Sequence, residues 1–183
     1  MTDAPLSVPA IAVFDAATGA LAFLAPADFT PDAGMSTTPL PADFADATHS
    51  WDQAAREMLL SLPRLRDLRW SAVKARRDRA EWAGCNTALG RVDSDPDSQR
   101  KTGGAVQMAM IAQAAAQPFA IDWTMQDNTT VAHDAAAMIA MGVAVGQHVA
   151  ACHEAALSKR AAIDAAQTAS SIEAVEIESG WPA

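Results

Sequence analysis

The chain has no tyrosine among its 183 residues, and all aromatics together make up 5%. Large ring anchors are therefore few. Hydrophobic residues reach 50%, but much of this is alanine, which favours helix and buries little area per residue. Thin helical packing is expected rather than one thick core. Cysteine is scarce. Cys85 and Cys152 form neither a CxxC pair nor a secreted disulfide framework, and both read as reduced, buried thiols. Positive charge is short as well: 13 Lys and Arg stand against 22 Asp and Glu, a net charge of −9. Such a chain repels phosphate backbones and anionic lipid, so neither a nucleic-acid partner nor membrane insertion is expected. No apolar run approaches the ~20 residues of a membrane helix. Even Ala135–Ala151 is interrupted by Gly142, Gly146, Gln147 and His148. Met1–Ala10, acidic and carrying Pro5 and Pro9, does not read as a signal peptide. The length suits one or two small domains, and the expectation is a soluble protein made in the cytoplasm.

The pattern along the chain predicts an α+β protein, mainly helical. Ile11 and Val13, then Leu21 and Phe23, alternate with small residues around Asp15–Gly19, a β-hairpin signal. Residues 26–48 hold Pro26, Pro31, Pro39 and Pro41 and read as an extended connector, pinned by Phe29 and Phe44. Ser50-Trp51-Asp52-Gln53 has the pattern of a capping box, predicting a helix that ends before Pro63. A second helix is expected from about Arg64 to Ala83, with Leu65, Leu68, Ala72, Ala75, Arg79 and Trp82 on one stripe and Gly84 as its stop. After a loop over Asn86–Ser94, Asp95 as N-cap and Pro96 at the first position start a third helix, which runs to about Gln117. Phe119, Ile121, Trp123 and Met125 alternate, Gln126-Asp127-Asn128 turns, and Thr129-Thr130-Val131 returns as a second, inserted hairpin. Asp134 caps a long C-terminal helix over roughly 135–169. The resulting division is 1–48, an attachment segment of hairpin and Pro-rich connector; 49–69, a connecting helix; 70–169, a helical domain; and 170–183, a tail docked by Trp181.

Motifs for chemistry are weak. Asp93, Asp95 and Asp97 have the spacing that opens a calcium loop, but Ser98 and Gly104 stand where glycine and glutamate belong, so helix capping is the simpler account. His148 and Cys152 lie one turn apart beside His153. They also fall on the stripe Met138, Met141, Val145, His148, Cys152, Ala155, which fits a core or an oligomer seam better than a metal site. Cys85 follows a helix end, where nothing lowers its pKa. No nucleophile elbow, phosphate loop or dinucleotide fingerprint is present. No catalytic residue, cofactor or metal is assigned, and the chain is expected not to be an enzyme. Seven of the basic residues crowd Arg64–Arg79, a solvated face or a stripe that meets acidic groups. Gly142 and Gly146, one turn apart, suggest close approach of a neighbouring element.

Three ordered elements carry a family resemblance. These are Trp70-Ser-Ala-Val-Lys-Ala-Arg76-Arg77-Asp-Arg79 with Glu81 and Gly84; Asp93-Ser-Asp95 with Ser98-Gln-Arg-Lys101; and Ile121-Asp-Trp123-Thr with Asp127-Asn128-Thr129 and Val131, followed by the Ala-rich helix. Over about 70–169 they resemble a domain of unknown function, number 4376, found in phage and prophage tail proteins. The first 50 residues are more loosely similar to N-terminal segments of tail-fibre and tail-assembly proteins. The resemblance implies a structural protein of a bacteriophage tail: baseplate, tail tip or fibre attachment. A tail-fibre assembly chaperone and a receptor-binding module are the alternatives. It further implies location in the virion tail after synthesis in the host cytoplasm. The partners would be other tail or baseplate proteins, and a homo-oligomer, by analogy a trimer, is possible. It implies no catalytic residues. On physical grounds Trp70, Trp82 and Trp123 are expected as anchors, and Arg76, Arg77 and Arg79 as bridges to Asp93, Asp95 or Asp97. Asp127 and Asn128 are expected in the turn, and Met138 and Val145 in the seam.

Overall fold

The computed structural model describes residues 9–182; the leading segment, where no signal peptide is expected, and Ala183 lie outside the described residues. The fold is α+β, with helices and small antiparallel sheets. It divides into two compact units, residues 1–68 with 167–169, and residues 69–166 with 170–183.

The first unit is built on β1 (Ile11–Asp15), β2 (Leu21–Ala25) and β3 (Met35–Pro39), in the order β2-β1-β3. The β1–β2 hairpin follows from its alternation. Asp15 Oδ1 accepts from the Thr18 N–H (2.7 Å) and hydroxyl (2.8 Å), which closes the turn. Gly19 is needed there twice over: its φ is +73°, and a Cβ would lie 2.7 Å from the Gln53 carbonyl oxygen. The Pro-rich stretch is not simply a connector. Met35–Pro39 pairs along the whole of β1, with Ile11 opposite Pro39. Proline is tolerated because it ends an outer strand, and Thr37 and Thr38 suit a pleated surface.

The helix expected after Ser50 is not there. His49–Asp52 (β4) and Glu57–Leu60 (β5) form a hairpin instead. Asp52 Oδ1 accepts from Ala54 and Ala55 N–H and closes the turn, while Trp51 packs on Phe14 at 5.3 Å and donates its indole N–H to the Gly19 carbonyl at 2.9 Å. This long-range anchoring outweighs the local capping pattern. Pro63 consequently sits in the first turn of α1 (Leu62–Glu81) rather than ending a helix.

In the second unit, α1 buries Val73 and Ala80 and half-buries Arg69, Arg76 and Arg77, whereas Trp82 is 48% exposed. Of the expected stripe Leu65 is buried, but beyond it the buried face runs beside the expected one, because guanidinium groups with partners can line a buried face by their stems. The Asn86–Ser94 loop is a short hairpin, β6 (Cys85–Thr87) and β7 (Gly90–Val92), turned by Gly90 at φ +131°. Next come α2 (Pro96–Ala114), the hairpin β8 (Ala120–Thr124) and β9 (Thr130–Asp134), α3 (Ala135–Ala165) and a short α4 (Ala169–Glu173). Asp95 and Asp134 are the N-caps. Asn128 takes φ +66°, with Asp127 accepting from Thr129. The core joins Cys85, Val92, Ala105, Ala109, Met125, Met138, Met141 and Val145. On α3 the buried stripe continues through His148, Cys152, Ala156 and Ile163. The glycine, glutamine and histidine interruptions do not make α3 polar. It holds an 18-residue window of mean hydropathy 1.6, long and apolar enough to cross a membrane by length and composition alone, and 28% of that window is buried.

Candidate functional site

The basic stripe of α1 finds partners within each unit. In the first, Arg64 donates to the carbonyls of Asp46 and His49. In the second, Arg76 pairs with Glu178 at 3.1 Å and Arg79 with the same carboxylate at 3.7 Å, while Arg77 pairs with its neighbour Asp78. Arg69 donates to the Val175 carbonyl. The acidic partner of Arg76 and Arg79 is thus in the C-terminal tail and that of Arg77 is Asp78; none of the three pairs with Asp93, Asp95 or Asp97 among the ion pairs of the described residues. Trp181 lies between Arg76 (5.6 Å) and Lys159 (5.3 Å) and donates its N–H to the Ile177 carbonyl. Lys159 reaches the carbonyls of Glu176 and Ser179. Trp70 receives Arg160 at 5.1 Å on its ring. Such cation–aromatic contacts favour a tail held along α1 and α3.

Of the candidate metal residues, His148 and Cys152 stay together, but His153 turns away from them. His148 is buried, with Nε2 3.3 Å from the Ala80 carbonyl and 3.9 Å from Cys152 Sγ, while His153 turns to Glu81 at 3.5 Å. No group of three His, Cys, Asp or Glu among the described residues is placed to hold a metal. Burial pushes the thiols of Cys85 and Cys152 up, away from the thiolate a nucleophile needs. In the acidic triplet, Asp95 accepts from the N–H groups of Asp97 and Ser98, and Asp97 pairs with Arg100. Hydrogen bonds, above all from the Ser98 hydroxyl, lower the Asp95 pKa.

Other candidates among the described residues lie on the surface. In the first unit Phe23 on β2 and Phe29 are 45% and 36% exposed and meet edge to face at 5.3 Å. In the second, Trp123 is half-buried, packed against the core, and lines a cleft of about 350 Å3 with Asp93, Ser98, Lys101 and Asp122. A larger apolar groove of about 600 Å3 follows α2 and α3. Met138 lies beneath it in the core, and Val145, a core residue too, forms part of its floor. Its lining residues Val106, Met110, Ile139 and Val143 were not singled out from the sequence. The signal available was the lack of any Asp, Glu, Lys or Arg over 102–121 and 135–152.

Residues 64–179 match the family model Domain of unknown function (DUF4376). The chain belongs to this family. Neither a curated protein nor a solved structure matches it. The DUF4376 segment reaches past 70–169 at both ends. It takes in the whole arginine stripe and the tail to Ser179, the parts joined by Arg76, Arg79 and Glu178.

Proposed function

We propose that this DUF4376 protein is a structural component of a bacteriophage tail, at the baseplate, tail tip or fibre attachment, acting through protein–protein contacts. The observation that carries the reading is the family segment over 64–179, which resembles a domain recurrent in phage and prophage tail proteins. The β-rich unit ahead of it supports an attachment role. Among the described residues its outer strands β2 and β3 each pair on one side only, with β1. Such strands offer free backbone groups for strand addition by a neighbour. Phe23 and Phe29 beside that edge supply exposed apolar surface on an otherwise acidic chain, and aromatics are favoured as interface anchors.

The attachment role has a direct test. Tails assembled without the gene product are incubated with the purified full-length chain, and uptake is measured. Wild type should bind, and Phe23→Asp and Phe29→Asp should each weaken uptake at least ~10-fold, or about 1.4 kcal/mol. Equal uptake by both variants would sink the attachment role.

A further inference from the structure

We propose that the face of α2 and α3 carrying Gly103, Val106, Met110, Ile139, Val143 and Gly146 is a pairing surface for a second copy of this chain. The seam expected from Met138 and Val145 is already filled, since both side chains are buried in the core. The free surface lies roughly a third of a turn further round α3. There Val143 is 54% exposed, and across the groove Met110 of α2 is 55% exposed.

Charge selects the occupant. The chain carries −9 overall, yet neither 102–121 nor 135–152 contains an Asp, Glu, Lys or Arg. A partner recognised by ion pairs has nothing to grip. The surface that covers this one must itself be neutral and apolar, and the same face of a second copy meets that requirement. It is also self-complementary. The exposed Met110 and Val143 stand as ridges, and Gly103 and Gly146 leave depressions. A Cβ at Gly142 would strike Val106 Cγ2 at 2.5 Å, so that glycine serves the α2–α3 contact. At Gly103 and Gly146 a Cβ would meet nothing within 4 Å. Glycine in an exposed helix interior costs stability relative to alanine, and these two are not required by packing within the chain. A two-fold, antiparallel arrangement sets the ridges of each copy into the depressions of the other. The size is close to what pairing needs: over their uncharged stretches α3 runs roughly 27 Å and α2 roughly 20 Å, together about 20 Å wide. Two such faces bury on the order of 1,000 Å2, the lower bound for a specific interface. The inference does not depend on the tail reading, since an association in solution can hold or fail whether or not the protein enters a particle.

Sedimentation velocity of the full-length chain over ~1–100 µM tests it. The expected result is a concentration-dependent dimer that tightens as salt is raised, because two acidic chains repel and screening relieves the repulsion. Val143→Asp and Met110→Asp alter exposed positions and should keep the helical circular dichroism while weakening the dimer at least ~10-fold. Met108→Asp, at a residue 61% exposed on the opposite side of α2, should leave it unchanged. A monomer at every concentration would overturn the proposal. So would equal weakening by Met108→Asp, or a monomer that floats with zwitterionic phosphatidylcholine vesicles unless Val143 is replaced; that last result would assign the face to lipid.

Discussion

Asp15, Asp95 and Asp127 act alike in three places. Each carboxylate accepts from the N–H and hydroxyl of a Ser or Thr two or three residues on, and each pKa is lowered by those hydrogen bonds. A carboxylate whose pKa is lower folded than unfolded adds stability above its unfolded pKa and loses it as pH falls through the folded value. These groups should therefore hold stability steady through neutral pH and surrender it below about pH 4. Asp95→Ala should lower the urea midpoint at pH 7, with the gap from wild type narrowing as pH falls below the ordinary carboxylate value of about 3.9; a gap of constant size would refute the capping account. Such contacts were legible in the sequence because donor and acceptor lie within three residues. The arginine partners were not. Arg76 and Glu178 are 102 positions apart, and the nearer Asp93–Asp97 cluster offered charges of the right sign at a shorter sequence distance.

Elements fixed by local chemistry were readable too: the β1–β2 and β8–β9 hairpins, the capped starts of α2 and α3, and the α3 stripe from Met138 to Cys152. Those fixed by distant packing were not. Ser50–Gln53 has the letters of a capping box, but Trp51 is held by Phe14 and Gly19 from another hairpin, and the segment is strand. On α1, counting Leu68 and Trp82 as core ignored arginines whose charges the C-terminal tail satisfies. Gly142 offers a quantitative check on the α2–α3 contact. A Cβ there meets the stiff β-branched Val106, whereas one at Gly104 meets nothing. Gly142→Ala should be less stable than Gly104→Ala by about 1–3 kcal/mol in chemical denaturation. Equal stabilities would mean that α2 and α3 do not approach this closely.

For the molecule as a whole, two surfaces stand out among the described residues as candidates for function. A β-rich unit bears an exposed aromatic pair, and a DUF4376 unit bears a neutral helical face. The cleft beside Trp123 was partly legible, since the alternation around Trp123 placed it on a hairpin. The apolar groove was not, because alanine, glycine and methionine suit a buried face and an exposed one equally well. A protein that works through such surfaces should remain in what it helps to build. Quantitative mass spectrometry of purified phage particles from a host carrying the gene tests this most directly. The tail account predicts the chain in intact particles at a low, fixed copy number consistent with a symmetric tail site. Its absence from intact particles, with tails failing to assemble when the gene is deleted, would contradict that account and make the protein an assembly chaperone.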